Sequence, residues 1–381
     1  MSKPTYDERL KQVFNCLAYK NEKPISCFSG SAPGAVIMGM TVAEYLDDPV
    51  KGTMAGIAML RRLEGEAGPL GCLNSSPKGT NNAVNISLLW NSKVLIPGKD
   101  LPENSSWQVQ EKQLIDTSAY DEILSGGYTN FVKNKILPRI LDMDYVTKYR
   151  KIATEGEPEI TKAYSELGVP RLATGTGLVI PFEQLCGMRS MSQFYMDCYK
   201  IPDKLKELSD FVFAEMYAQK ETELEKVRDN PTVLGGWVGG WRTASALVNQ
   251  KIWDNLVWPY LKPAAEQMIK FGKIPIMHLD QDWGRDIERF GELPAGKIIL
   301  HTDGMTNLPR TRKLLPGYAL MGDVPPTLLT TGTPQQVSVY VKKLIDEVGP
   351  QGLFVCPGCD APITSKFENI VAMVKTTNEW H

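Results

Sequence analysis

Two triplets in this sequence pair an imidazole with a carboxylate: His278/Asp280 and His301/Asp303. The first follows the apolar run Ile274–Met277 and the second the run Ile298–Leu300. Side chains two apart on an extended segment point the same way, so each strand offers both groups to one face at its carboxyl end. Two further runs end in polar groups: GYALMGDV (317–324) carries Asp323, and GLFVCPGC (352–359) carries Cys356 and Cys359, with Asp360 next. Imidazole, carboxylate and thiolate are the ligand set of zinc, and a catalytic zinc takes three protein ligands and leaves one position open. The same groups serve as proton donors and acceptors when no metal is held. The chain has three histidines, and the third is the C-terminal His381.

A strand-end cluster of this kind needs a parallel α/β fold, in which ligands sit beyond the carboxyl ends of the strands. The second half of the sequence alternates strand and helix patterns throughout, and earlier runs at KPISCF (23–28), PLGCLN (69–74), RLATGTGLVI (171–180) and TVLGGWVGGWR (232–242) supply four more strands. About eight βα units result, which predicts a single (β/α)8 barrel spanning residues 1–381. Residues 1–22 form an N-terminal helical extension. Residues 75–130, rich in Gly, Asn, Ser and Pro, read as an insertion: an elaborated loop or small β excursion that includes the β-like run VNISLLW (84–90). Long helices are expected over Phe182–Tyr199 and Asp203–Arg228, and Thr333, Pro334 and Gln336 form a capping-box helix start. The glycines after Ala173 lack the Gly-x-Gly-x-x-Gly spacing of a dinucleotide site.

Trp237, Trp241 and Trp283 fall just after strand ends, where a flat aromatic ligand could stack, and Arg242 is placed to meet a substrate carboxylate, Asp303 or Asp323. Charge is nearly balanced, 42 basic against 44 acidic residues, which gives no footprint for nucleic acid or an anionic membrane. The polar start MSKPTYDERLKQVF and the lack of a long apolar run point to a cytoplasmic protein with no membrane span. Seven cysteines, scattered and odd in number, are expected as reduced thiols.

The C-terminal third resembles the uroporphyrinogen decarboxylase superfamily: MGDVPPTLLTTGTPQQV followed by LFVCPGCDAPITSKFENIVAMV is similar to that family's closing motif. The likeness extends upstream through IWDNLVWPYLKPAAEQMIKFGKIPIMH and covers roughly residues 170–378. In the true decarboxylases an arginine-rich N-terminal motif binds the tetrapyrrole's carboxylates, whereas the matching stretch here, KPISCFSGSAPGAV, has no arginine. The resemblance therefore points to the cobalamin-dependent methyltransferase branch, in which a barrel moves a methyl group between a small methylated substrate and the cobalt of a separate corrinoid protein. Members acting on thiols hold zinc through His-x-Cys on one strand and the Cys of Pro-Gly-Cys on the last. This chain keeps His278 and Cys359 but has Asp280 in place of the first cysteine. A harder, oxygen-richer site suits the polarisation of an ether oxygen, so the expectation is a methoxylated aromatic donor and O-demethylation. Zinc is expected on some three of His278, Asp280, His301 and Cys359, with Asp280, His301, Asp303 and Asp323 as the acid/base groups and Trp237, Trp241, Arg242 and Trp283 lining the substrate. Asp-x-His-x-x-Gly, the usual lower-ligand motif for cobalamin, is absent from the sequence, so the cobalamin is expected on a partner. The alternatives are a thiol or tetrahydrofolate corrinoid methyltransferase and a uroporphyrinogen-type decarboxylase.

Overall fold

A computed structural model describes residues 3–30, 32–75, 82–174 and 177–381. Eight parallel strands close on themselves: β1 (Ile25–Phe28), β2 (Cys72–Ser75), β3 (Arg171–Ala173), β4 (Gly235–Gly240), β5 (Ile274–Leu279), β6 (Ile299–Thr302), β7 (Ala319–Val324) and β8 (Leu353–Pro357). Each pairs with the next, β3 joins β4 at Ala173↔Gly235, and β8 returns to β1 at Phe354↔Ile25. The (β/α)8 barrel read from the alternating pattern is the fold.

The strands form where the sequence places apolar runs because a barrel wall is buried on both sides, by the barrel's own filling and by the outer helices. Ile276, Ile299, Met321, Phe354 and Cys356 fill the interior, whereas Met277, Leu300, Leu320 and Val355 pack outward against the helices. Strand β4 is glycine-rich for a steric reason: a Cβ on Gly239 would lie 2.1 Å from the carbonyl oxygen of His278. The helix Pro334–Val348 starts with the expected capping box, Thr333 and Gln336 each bonding the other's backbone N–H. Among the described residues no helix is long and apolar enough to cross a membrane.

Two local expectations are corrected. The run read as β-like at 84–90 lies in a helix, Asn82–Trp90. Its β-branched Val84 and Ile86 suggested a strand, but Val84 and Leu88, one helical turn apart, meet Val146 and Tyr149 on one side, and a short apolar run does not separate the two by composition alone. The β part of the 75–130 insertion is a two-stranded ribbon, Val94–Leu95 with Gln108–Val109, set in irregular chain between the helices Asn82–Trp90 and Ser118–Gly126. The expected helix over Phe182–Tyr199 is two helices, Pro181–Arg189 and Met191–Lys200, broken at Ser190 by a φ of 72°. Gly175 and Thr176 of the glycine turn, and residues 76–81 of the insertion, lie outside the described residues.

Candidate metal centre

The mouth of the barrel is built by the loops after β5, β6 and β8. His278 is the penultimate residue of β5 and Asp280 the first residue beyond it. A turn then holds Asp280 in place: Gln281 adopts a left-handed φ of 69°, and the Trp283 indole donates to the Asp280 carbonyl at 2.8 Å. Gln281 N–H donates to Asp303 Oδ2 at 2.8 Å, so the loop after β6 braces the one after β5. Cys359 arrives from β8 by an equally constrained path. Gly358 N–H donates to the Val324 carbonyl at 2.9 Å and Ala361 N–H to that of Ser29 at 2.9 Å. A Cβ on Gly358 would stand 2.7 Å from the Asp303 carbonyl carbon, so only glycine lets the chain pass there.

His278, Asp280 and Cys359 thereby form a group that could hold a metal ion, their ligand atoms all within 4.8 Å of one another. His278 Nε2 lies 3.3 Å from Asp280 Oδ1 and 3.7 Å from Cys359 Sγ. Zinc–ligand bond lengths with tetrahedral angles put an N···O pair at about 3.3 Å and an N···S pair at about 3.6 Å. Both separations from His278 Nε2 are compatible with zinc.

Electrostatics describe the same trio without a cation. Burial opposes a charge on His278, but Asp280 and Cys359 together outweigh it and hold the imidazole well above its usual range. Burial likewise opposes ionisation of Asp280, and the His278 charge and hydrogen bond override it to hold the carboxyl low. Burial raises the Cys359 thiol, with His278 pulling it partly back. A cation entering here replaces the His278 and Cys359 protons, as metal binding at such ligands does.

His301 stands behind the trio rather than within it. Its Nδ1 is 2.8 Å from His278 Nδ1 and 3.1 Å from Asn74 Nδ2, and its Nε2 is 3.1 Å from the Pro357 carbonyl oxygen. Both ring nitrogens are committed. Burial, then the neighbouring His278, depress its pKa to about 3. Asp303 spends both oxygens on backbone, Gln281 N–H and Met305 N–H. Asp323, the penultimate residue of β7, accepts from the Tyr340 hydroxyl at 2.9 Å, and burial pushes its carboxyl up to about 6.

The aromatic and arginine expectations divide. Trp237 stacks face to face on His278, centroids 4.6 Å apart and planes 8° apart. Trp241 is partly exposed and Trp283 fully buried, so Trp283 holds the Asp280 turn rather than lining a ligand space. Arg242 is fully buried and meets neither Asp303 nor Asp323 in any hydrogen bond or ion pair among the described residues. Instead it donates to the Glu183 carbonyl at 3.2 Å and lies over the Trp241 ring at 4.5 Å.

Two residues escaped the sequence reading. Glu183 Oε1 accepts from the Trp241 and Arg242 backbone N–H groups, both at 2.8 Å, and so shapes the loop after β4. Burial pushes its carboxyl up to about 7. A lone carboxylate in the helix Pro181–Arg189, most of whose residues are apolar, was the available signal. Asn74 ends the inward face of β2, and the strand-end rule that found His278 applies to it equally.

With the geometry in hand, the chain can be set beside known proteins. The family model for uroporphyrinogen decarboxylase (URO-D) matches residues 159–380. A solved structure, a methyltransferase from Methanosarcina mazei, superposes with a TM-score of 0.68 over 99% of this chain and 99% of its own, at 14% identity, a likeness of fold. No curated protein sequence matches the chain.

Proposed function

Since this chain belongs to the uroporphyrinogen decarboxylase family, we propose that it is a methyltransferase of that family, moving a methyl group from a methoxylated aromatic to the cobalt of a corrinoid carried by a separate protein. The observation that carries this reading is the trio His278, Asp280 and Cys359 at zinc-compatible separations, with oxygen where the thiol-methylating branch has a second sulfur. The full-length fold likeness to a methyltransferase agrees with it. Arg242, buried against Glu183, is not free to bind a polyanionic tetrapyrrole, which speaks against decarboxylation.

His278 Nε2, an Asp280 oxygen and Cys359 Sγ would hold the ion. Bound there, zinc supplies a Lewis acid with one open position for the ether oxygen. In the overall reaction the methyl–oxygen bond breaks, the cobalt(I) electron pair forms the new bond to carbon, and the aryl oxide leaves and takes a proton. Asp323 is the carboxyl able to hold that proton near neutral pH, and Asp303 keeps the Asp280 turn in place. Trp237, flat against His278, and the partly exposed Trp241 would each offer an aromatic face to the substrate ring.

Elemental analysis of the purified protein tests this directly. About one zinc per chain is expected in the wild type and none in Asp280→Ala. With a cobalt(I) corrinoid acceptor, methyl ethers should give methylcobalt absorbance with the wild type, and the variant should lose at least about 100-fold in rate. Turnover of thiols in preference to ethers, or of a porphyrinogen without corrinoid, would replace the reading.

A further inference from the structure

The hydrogen bonds behind the trio run in one direction, and their donors can be assigned from chemistry alone. An indole N–H only donates. Trp237 Nε1 lies 3.2 Å from the Asn74 amide, which fixes the amide oxygen on that side and turns its NH2 toward His301 Nδ1 at 3.1 Å. An amide NH2 also only donates, so His301 Nδ1 is an acceptor. On the opposite edge of the ring, the Pro357 carbonyl at 3.1 Å only accepts, so His301 Nε2 carries the hydrogen. Two neighbours from different strands demand the same tautomer. His278 Nδ1, 2.8 Å from that accepting nitrogen, must then be a donor. The only nitrogen left to His278 for a cation is Nε2, the one that faces Asp280 and Cys359.

We propose that Trp237, Asn74 and His301 form a tautomer lock: positioning residues that commit Nε2 of His278 to metal ligation by dictating where the protons of two hydrogen-bonded imidazoles reside. The lock rests on the reading of the trio as a metal centre but not on the identity of the methyl donor. Trp237 acts twice, since the ring whose N–H starts the chain also lies flat against His278. Hydrogen bonds of this kind to a ligating histidine ordinarily fix its ring and strengthen it as a ligand.

The test uses full-length protein labelled with 15N-histidine, whose three histidines make long-range proton–nitrogen spectra assignable. In the metal-free wild type, His301 should show a bare Nδ1 and a protonated Nε2. His278 Nδ1 should stay protonated on adding zinc while its Nε2 loses its proton. Asn74→Asp reverses the demand, because a carboxylate only accepts and draws a proton onto His301 Nδ1. Its zinc affinity, measured by competition with a chelator, should fall about 10- to 100-fold. Asn74→Ala removes the same contacts but leaves Pro357 to enforce the tautomer, so it should lose less than Asn74→Asp. A purely structural role for Asn74 would make the two equal, or the alanine worse, and overturn the lock. So would a protonated His301 Nδ1 in the wild type, a measurement that needs no variant to fold. Correct tautomers in a wild type that binds no zinc would uphold the lock and defeat the metal reading.

Discussion

The barrel contains two thiol-bearing clusters that share strand β8, and they have opposite characters. At the mouth, Cys359 is partly exposed and faces His278 and Asp280. Three residues earlier, Cys356 points into the barrel beside Cys27, which also contacts Cys72. All three are fully buried, among Ile25, Ile299, Met321 and Phe354. Cys27 and Cys72 sit in register across β1 and β2, and Cys356 and Asp323 across β8 and β7. Burial pushes the Cys72 and Cys356 thiols well above their usual range, and their neighbouring thiols add to it. Cys359 is raised too, but there an imidazole pulls the other way. A thiol becomes a ligand where a cationic neighbour and access to solvent meet it, and a small apolar core residue where they do not.

Alkylation should expose this contrast most strongly. Iodoacetamide at mildly alkaline pH should modify Cys359 in metal-free native protein, while Cys27, Cys72 and Cys356 react only through unfolding, slower by more than about 1,000-fold. Zinc should protect Cys359. Peptide mass spectrometry reads the sites, and labelling of Cys356 at the rate of Cys359 would erase the distinction between the clusters.

The sequence carried the barrel well because most of its strands are short apolar runs, and a wall buried on both faces leaves that signature. His278, Asp280 and Cys359 were readable for the same reason, since polar groups at successive strand ends have one place to go. What the sequence did not show was which partner each side chain meets. Arg242 reads as a free cation until Glu183, 59 residues away, is known to be beneath it. Trp283 reads as a platform until its indole is seen bonded to the Asp280 carbonyl. His301 duplicates the His278 pattern in sequence, and only the structure shows its ring nitrogens engaged by the Pro357 carbonyl and the Asn74 amide. Residue type announced that chemistry was present; which atom faces which was decided by register.

Asp323 lies in register with Cys356 across β7 and β8, and its titration gives the second test. Its folded carboxyl is raised to about 6, above an unfolded value of about 3.9. Its contribution to stability is therefore complete below about pH 4 and is lost as pH rises through about 6, where the folded state must hold a buried charge. Asp323→Asn stays neutral throughout. Relative to wild type, the variant should gain about 1–2 kcal/mol between pH 5 and pH 8 in urea unfolding. A pH-independent difference would mean that water or a neighbour stabilises the ionised carboxylate and that the mouth extends down to this level.

The smallest effect expected is at Cys356, and its value lies in being crossed with Cys359. Cys356→Ala removes one sulfur from the filled interior and leaves a small gap among residues that cannot collapse into it, because the strands around it are fixed by their ladders. The cost should be about 1 kcal/mol of unfolding free energy, with zinc content unchanged. Cys359→Ala should do the reverse: the side chain is partly exposed, so metal-free stability stays within about 0.5 kcal/mol of wild type, while zinc is lost. If Cys356→Ala also lost zinc with the fold intact, the interior thiols would have to act on the mouth through β8. The separation between a packing thiol and a ligand thiol three residues apart would then fail, because the shared strand would transmit strain from one to the other.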